Sequence, residues 1–186
     1  MSDLGSDEID LDALALRAAA GDQEALEDLL AAIQPRVRKI AARMLLYPED
    51  AEEAAQDALL RVATRIGQFE GRAKFTTWLH AVASNSARST YRSLKRRAAE
   101  RATDELPLHA DPRTTSVIAG SRLDLLEALE TVGATHPELV EPLVLRDVQG
   151  LDYNEIARLL DTPLGTIKSR IHFARQAVRP LLRVQD

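Results

Sequence analysis

Two clusters of lysine and arginine are the residues of this sequence best suited to chemistry, because they bind anions. Residues 71–99 contain seven basic residues and no acidic one, and residues 162–186 contain five basic residues and one acidic one. The remaining segments, 1–70 and 100–161, each have a charge of −8, so the whole chain has a net charge of −5. A clustered basic surface is the usual sign of nucleic-acid binding, because phosphates dominate that affinity. Either cluster alone fits a solvated helix face equally well, but two clusters favour nucleic acid.

Enzymatic and metal chemistry has little support in the sequence. There is no cysteine, and the four histidines are dispersed, at His80, His109, His136 and His172. Neither the spacing of metal ligands nor a pairing of nucleophile and base is present, so we expect no catalytic residue, no metal and no cofactor. No apolar stretch approaches the roughly 18 residues of a transmembrane helix, and the acidic N-terminus is unlike a secretion signal. We therefore expect a cytoplasmic protein without membrane insertion.

Composition and hydrophobic periodicity predict an all-α chain. Alanine, leucine, glutamate and arginine dominate, and aromatic residues make up only 4%. Helical patterns occur at residues 11–20, 22–44, 48–66, 76–97, 122–132, 137–148, 151–160 and 164–180. We expect two small helical domains, residues 10–97 and 120–186, joined by a flexible linker at 98–119. Pro35 should kink or split its helix, and Pro142 should cost its helix a hydrogen bond.

The last two predicted helices have the features of a helix-turn-helix. Asp152 and Glu155 have the spacing of a capping box. Thr162 can cap the second helix, and Pro163 suits its first position. The expected inner face of that helix consists of Ile167, Ile171, Ala174 and Val178. The opposite face then consists of Gly165, Ser169, His172, Phe173 and Gln176, flanked by Thr166, Lys168 and Arg170. Such a helix fits a DNA major groove, in which the basic side chains would contact phosphates and the polar side chains would contact the edges of the nucleobases. An ordinary helical hairpin is the alternative.

Residues 144–175, VLRDVQGLDYNEIARLLDTPLGTIKSRIHFAR, resemble the C-terminal promoter-binding domain of the extracytoplasmic-function (ECF) sigma factors. The resemblance implies that this domain reads the −35 promoter element. The residues that would contact it are Thr166, Lys168, Ser169, Arg170, His172 and Phe173. Phe173 stands where the family often has arginine, so one phosphate contact of the family is not matched here.

The segment DAEEAAQDALLRV, residues 50–62, resembles the helix of the same family that docks on the clamp helices of the polymerase β′ subunit. The match carries that role to Asp50, Glu53, Gln56, Asp57 and Arg61. Taken without the family, an i,i+4 ion pair between Asp57 and Arg61 is the simpler interpretation of those two residues.

Residues 69–97, FEGRAKFTTWLHAVASNSARSTYRSLKRR, resemble the segment that melts and reads the −10 element. By resemblance, residues 69–75 would hold a flipped base and the following helix would grip the opened strand, as single-strand binders do with a basic groove and base pockets. The residues that would contact this DNA are Arg72, Lys74, Phe75, Trp78, Asn85, Arg88, Arg92, Lys95 and Arg96. Phe75 and Trp78 also fit the alternative of buried core aromatics. Arg88 and Ser89 stand where the family often has an acid.

The resemblance implies a non-enzymatic subunit that directs core RNA polymerase to promoters. Its expected partners are promoter DNA, the β′ clamp helices and the β flap of polymerase, and an anti-sigma factor of the kind that holds many members of the family. One alternative is a stand-alone helix-turn-helix regulator, against which the basic residues 71–99 argue. The other is a sigma mimic that titrates an anti-sigma factor and binds no DNA, against which Lys168, Ser169 and Arg170 argue.

Overall fold

The computed structural model describes residues 9–104 and 117–182. Within these residues every regular element is a helix, which confirms the all-α prediction. The α-helices are α1 (Leu11–Ala19), α2 (Gln23–Met44), α3 (Pro48–Arg65), α4 (Phe75–Asp104), α5 (Val117–Thr135), α6 (Pro137–Leu143), α7 (Tyr153–Leu159) and α8 (Leu164–Val178). Short 3₁₀ turns follow α3 and α8, at Ile66–Gln68 and Arg179–Leu181.

The first unit, α1 to α4, is built around the apolar stripe of α2. Its buried residues recur every three or four positions, which places them on one face of the helix. Leu29, Ile33 and Val37 are fully buried and pack with the small residues of α3, which let the two helices approach closely. Asp22 caps α2 as expected: its Oδ1 accepts the Ala25 N–H at 3.0 Å.

Pro35 does not split α2, which was one of the two outcomes expected at this position. The helix is continuous from Gln23 to Met44. Pro35 and Ala31, whose carbonyl loses its helical partner, both lie on the exposed side, where water can satisfy the freed carbonyl. The buried stripe on the other side then keeps the helix in place.

The second unit, α5 to α8, departs from the expected single helix over residues 137–148. The α-helix ends at Leu143, and Val144–Val148 forms one π-helical turn, in which the Gln149 N–H bonds the Val144 carbonyl at 3.0 Å. Pro142 is buried just before this turn. Proline has no N–H to donate, and its ring crowds the preceding turn of the helix. The wider π-helical turn that follows Pro142 lets the chain remain helical despite this.

The helix-turn-helix forms as predicted, with one difference in its turn. The Asp152 carboxylate accepts the N–H groups of Asn154 and Glu155, and the Glu155 carboxylate accepts the Asp152 N–H, which completes the capping box. Thr162 does not cap α8: its hydroxyl donates to the Leu160 carbonyl at 2.9 Å, and Pro163 occupies the cap position just before α8. The turn itself is made by Asp161 with φ of 45°.

Replacing Asp152 by alanine is expected to lower the melting temperature, because α7 loses the oxygen that accepts two backbone N–H groups. Circular dichroism during heating measures the change, and Asp152→Ser, which keeps an acceptor oxygen, should lose less. The backbone hydrogen bond from Glu155 lowers the pKa of Asp152 below its ordinary value of 3.8. Wild type is therefore more stable to unfolding than Asp152→Ala above that pH, and this difference in stability declines as the pH falls through the lowered pKa. A difference in melting temperature between wild type and Asp152→Ala that stays the same in strong acid would contradict this account.

The two units pack against each other rather than standing apart. Leu126, Leu129 and Val140 of the second unit share one apolar core with Ala87 and Tyr91 of α4. A second contact places Ala81 of α4 against the core of the helix-turn-helix. Thus the helix expected to read DNA is also the main surface that joins the two units.

The predicted linker at 98–119 is partly helical. Helix α4 continues to Asp104 and α5 begins at Val117, so helix covers both ends of that segment, and the remaining residues lie outside the described part of the chain. An exposed i,i+4 pair between Arg96 and Glu100, at 3.7 Å, accompanies the extension of α4.

Candidate nucleic-acid interface

Helix α8 has one face in the core and one face in solvent. Its inner stripe, Ile167, Ile171, Ala174 and Val178, is buried as the spacing predicted. Of the residues assigned to DNA, Lys168, Ser169, His172 and Phe173 are exposed, and Thr166 and Arg170 are half-buried. The structure therefore brings all six predicted −35 residues onto one accessible surface, which we call the α8 outer face.

The α8 outer face is open enough for a close approach of DNA. In the part of the chain that the structure describes, no atom beyond the helix's own nearby backbone and the adjacent residues lies within 4 Å of the place where a Cβ of Gly165 would stand. The Ser169 hydroxyl donates to the Thr166 carbonyl at 2.9 Å, which leaves its oxygen free to accept outward. Phe173 is 56% exposed and meets the His172 ring edge-on at 5.6 Å. An exposed phenylalanine offers no phosphate contact but can pack against an apolar group such as a thymine methyl.

A paired arginine holds α8 against the π-helical turn. The Arg175 guanidinium donates to both oxygens of Asp147, at 2.8 and 2.6 Å. These hydrogen bonds raise the pKa of Arg175. A bidentate pair of this kind fixes geometry, so Arg175 helps to position α8, whereas Lys168 and Arg170 have no part in this pair.

Four of the predicted −10 residues of α4 lie on one side of that helix and differ in exposure: Arg92 and Lys95 are more than half exposed, whereas Arg88 is largely buried. Asn85, Arg88, Arg92 and Lys95 are spaced 3, 4 and 3 residues apart, and we call them the α4 polar stripe. Arg88 is 13% exposed, and burial lowers the pKa of its guanidinium. Arg96, also assigned to DNA, points elsewhere and pairs with Glu100.

Carboxylates of the second unit face the α4 polar stripe. Glu130 lies 3.4 Å from Arg88 and 3.3 Å from Arg92. Glu127 lies 3.6 Å from the Lys95 ammonium, and Glu141 accepts from the Asn85 amide at 3.3 Å. The sequence analysis did not assign these three acids, because the pairs join residues more than 30 positions apart and no local pattern signals them.

Phe75 does not fit its predicted direct contact with DNA. Its side chain is 0% exposed and packs with Phe69 and Trp78, at ring-centroid distances of 5.5 and 5.7 Å. It is therefore a core residue beneath the loop 69–74, as the alternative interpretation had it. The Phe75 N–H donates to the Asp12 carboxylate at 2.6 Å, so Asp12, which the sequence analysis did not assign, anchors the start of α4.

The loop before α4 borders a cavity of about 390 Å³. Half-buried Trp78 and the exposed Arg72 line it from the first unit, and Leu159 and Asp161 line it from the second. The Arg72 guanidinium contacts the Glu70 carboxylate and also Asp161, at 3.2 Å. Lys74 is exposed beside it. The cavity thus brings together Arg72 and Trp78, two of the residues that the sequence analysis assigned to −10 DNA.

Helix α3 presents a separate polar surface. Glu53, Gln56 and Asp57 lie along its exposed side, with Asp50 one turn earlier and Arg61 one turn later. Arg61 pairs with Asp57 at 2.8 Å, and Arg97 of α4 reaches Glu53 at 3.3 Å. The i,i+4 pair considered as the simpler interpretation therefore exists, and it leaves both of its side chains about one-third exposed.

Among the described residues there is no cluster of histidine, aspartate and glutamate able to hold a metal ion. In the same part of the chain no helix is both long enough and apolar enough to cross a membrane.

Comparison with known proteins identifies the two units. Residues 29–97 match the family Sigma-70 region 2, and residues 137–178 match Sigma-70, region 4. The chain is 31% identical over 179 residues to the RNA polymerase sigma-H factor of Pseudomonas aeruginosa, covering 90% of this chain and 93% of that one. It is 30% identical over 171 residues to the ECF RNA polymerase sigma factor SigW of Bacillus subtilis, covering 88% and 91%. The chain belongs to the ECF sigma factors.

The sigma factor is thus a transcription initiation factor that directs RNA polymerase to promoters. Region 2 spans most of α2 together with α3 and α4 up to Arg97, and region 4 spans α6 to α8. Helix α5, which carries Glu127 and Glu130, lies outside both matched regions.

The fold of the sigma factor is also that of a solved relative. The structure of CnrH in complex with the cytosolic domain of CnrY matches with a TM-score of 0.51 and 21% identity, over 91% of this chain and 95% of that chain.

Proposed function

We propose that the two units of the sigma factor divide promoter recognition between them. The α8 outer face reads the −35 element in duplex form, and the α4 polar stripe with the loop 69–74 binds the opened −10 strand. The observation that carries this proposal is the α8 outer face, where exposed polar side chains, the exposed Lys168 and the half-buried Arg170 lie on a capped helix-turn-helix. This arrangement is the usual one for a recognition helix in a major groove.

Core polymerase is proposed to bind the exposed side of α3 on its β′ clamp helices and region 4 on its β flap. Support comes from the polar side chains of Glu53, Gln56 and Asp57, which lie on the solvent side of a helix whose other side is buried in the core. Working as a polymerase subunit, the sigma factor would catalyse no reaction itself and would act in the cytoplasm. An anti-sigma factor is proposed as a further partner, by analogy with CnrH, whose solved structure contains the cytosolic domain of CnrY.

The test of this function is a pull-down with bacterial core RNA polymerase, followed by run-off transcription from a library of genomic fragments. We expect retention on core and discrete new start sites that share two upstream elements. A protein that ignored core polymerase but bound duplex DNA would instead be the stand-alone helix-turn-helix regulator. Retention on core without any new start site would contradict the promoter-reading roles.

Replacing Lys168 or Arg170 by alanine is expected to weaken −35 duplex binding and to reduce its salt dependence. Each phosphate contact releases about one counterion, so the slope of log K against log salt should fall by about 1 per residue. Fluorescence anisotropy with labelled duplex over a range of salt concentrations measures the slope. Lys39→Ala, which removes an exposed charge from α2, is the control and should leave it unchanged. An unchanged slope for Lys168→Ala and Arg170→Ala would remove both residues from the interface.

A further inference from the structure

Phe173 is an apolar side chain exposed on an otherwise polar surface, the α8 outer face. Of the three phenylalanines in the sequence, Phe69 and Phe75 are 7% and 0% exposed, whereas Phe173 is 56% exposed. Keeping more than half of an aromatic side chain in water forgoes the stabilisation that its burial would give. Burial against a binding partner would recover that stabilisation, and the position of Phe173 indicates which partner.

Helical geometry places Phe173 beside the groups proposed to read DNA. It follows Ser169 by four residues and Arg170 by three, so the three side chains lie on adjoining turns of one side of α8. The buried stripe of the helix points the opposite way. A duplex that contacts Ser169 in its major groove therefore brings a neighbouring base edge over Phe173.

Two neighbouring side chains support the Phe173 ring. The Gln176 amide nitrogen lies 3.1 Å from His172 Nε2, within hydrogen-bond distance, and links these side chains across one helical turn. The His172 ring in turn meets the Phe173 ring edge-on, with 5.6 Å between the ring centroids. A ring that is already supported loses less side-chain entropy when it binds, so its burial contributes more to affinity.

We propose that Phe173 is a specificity-determining residue, which packs on the 5-methyl group of one thymine in the −35 element. The inference rests on the proposed −35 role of α8. Thymine alone among the four bases presents a methyl group in the major groove, and a phenyl ring has no donor or acceptor for the polar edges of the other bases. Cytosine in the same place would bring its amino group against the ring without a hydrogen-bond partner, which is unfavourable. Phe173 therefore selects thymine at this base pair.

This contact differs from a phosphate contact in its response to salt. Binding of phosphates by Lys168 or Arg170 releases counterions, whereas burial of a phenyl ring on a methyl group releases none. Replacing Phe173 by alanine should therefore lower the affinity for −35 duplex without changing the slope of log K against log salt.

The test uses the full-length chain and duplexes that carry the −35 element shared by the start sites of the run-off experiment. Each thymine is replaced in turn by deoxyuridine, which removes the methyl group and keeps every hydrogen-bonding group. Fluorescence anisotropy measures the affinities of wild type and Phe173→Ala. We expect deoxyuridine at one position to weaken wild-type binding about fourfold, on the scale of one buried methyl group, and to leave binding by Phe173→Ala unaffected. An element without thymine, or equal responses of the two proteins at every thymine, would overturn the proposal.

Ile9→Ala is the matched control, because Ile9 is 57% exposed and lies before α1, outside the α8 outer face. It should respond to deoxyuridine as wild type does, and a lost response there would also overturn the proposal. Phe173→Arg exchanges the apolar group for a charge, so it should lose the response to deoxyuridine and steepen the salt slope by about 1. Since both positions are exposed, circular dichroism should show the wild-type melting temperature for all three variants.

A polymerase contact of Phe173 would give a different result. If Phe173→Ala lowers the affinity for core polymerase but not for −35 duplex, the exposed ring belongs to the polymerase interface and the proposal is wrong.

The failure of this inference differs from the failure of the proposed function. If Lys168→Ala weakens −35 binding but no thymine shows a response that depends on Phe173, α8 reads the −35 element and only the role of Phe173 is wrong. If neither Lys168→Ala nor Phe173→Ala changes duplex binding, the proposed role of α8 fails and the inference fails with it.

Discussion

Replacing Asp57 by lysine is expected to reduce the affinity for core RNA polymerase at least tenfold while leaving the chain folded. Asp57 lies in the middle of the exposed side of α3, between Glu53 and Arg61. A lysine there reverses the charge that polymerase would meet and leaves Arg61 without its carboxylate. Reversal of one charge in a complementary interface commonly costs a few kcal/mol, and about 1.4 kcal/mol is a factor of ten.

The fold should tolerate the Asp57→Lys change because the side chain takes no part in the core. Its pair with Arg61 is exposed by about one-third on each side, and i,i+4 pairs of that kind contribute only about 0.3–0.5 kcal/mol. Urea denaturation should therefore show a small loss of stability, far below the loss in binding.

The control for Asp57→Lys is Asp28→Lys, which makes the same charge change at an exposed position of α2. Surface plasmon resonance on immobilised core polymerase compares the two variants under one salt condition. Normal affinity of Asp57→Lys, or an equal loss in Asp28→Lys, would show that α3 is not the docking surface and that only net charge matters.

Replacing Phe75 by alanine is expected to lower the free energy of unfolding by about 3–5 kcal/mol, the usual cost of removing a buried aromatic side chain. Phe75 is fully buried and contacts Phe69 and Trp78, so truncation leaves a cavity beneath the loop 69–74. Urea denaturation followed by circular dichroism measures the loss. A loss under 1 kcal/mol would show that the cluster contributes little to the core.

A conservative change separates the core role of Phe75 from the DNA contact that the family resemblance implied. Phe75→Leu keeps an apolar side chain of similar size and should cost about 1.5 kcal/mol or less. If Phe75 acts only through the core, holoenzyme with Phe75→Leu should bind −10 single strands as wild type does. Trp78→Leu is the comparison, since Trp78 borders the cavity and should lose affinity. A marked loss in Phe75→Leu would restore the direct contact.

The helices of this protein and the exposed face of α8 could be predicted from the sequence because their signals are local. Apolar residues three and four apart determined which face of α8 is buried, and the outward location of Lys168 and Ser169 followed from that pattern. The capping box at Asp152 and Glu155 depends on residues three apart, and it formed as predicted. Net charge by segment located both basic surfaces without any knowledge of the fold.

Predictions from sequence patterns failed at positions where the conformation or burial depends on groups that are distant along the chain or on solvent. Pro35 did not break α2 because its side of the helix is solvated, and Pro142 was accommodated by a π-helical turn at Val144–Val148. The burial of Phe75 depends on Phe69 and Trp78 closing over it. Each of these outcomes is set by packing and solvent access, which a pattern along the chain does not contain.

By itself, the sequence determined an all-helical chain that resembles the ECF sigma factors, with two basic segments and a capped helix-turn-helix. Only the tertiary structure decided that Glu127, Glu130 and Glu141 pair with the α4 polar stripe and that Arg88 of this stripe is largely buried, whereas Lys168, Ser169 and His172 are exposed on α8. The physical reason is that ion pairs between distant segments depend on how the helices pack, and the apolar contact of α5 and α6 with α4 brings these charges together.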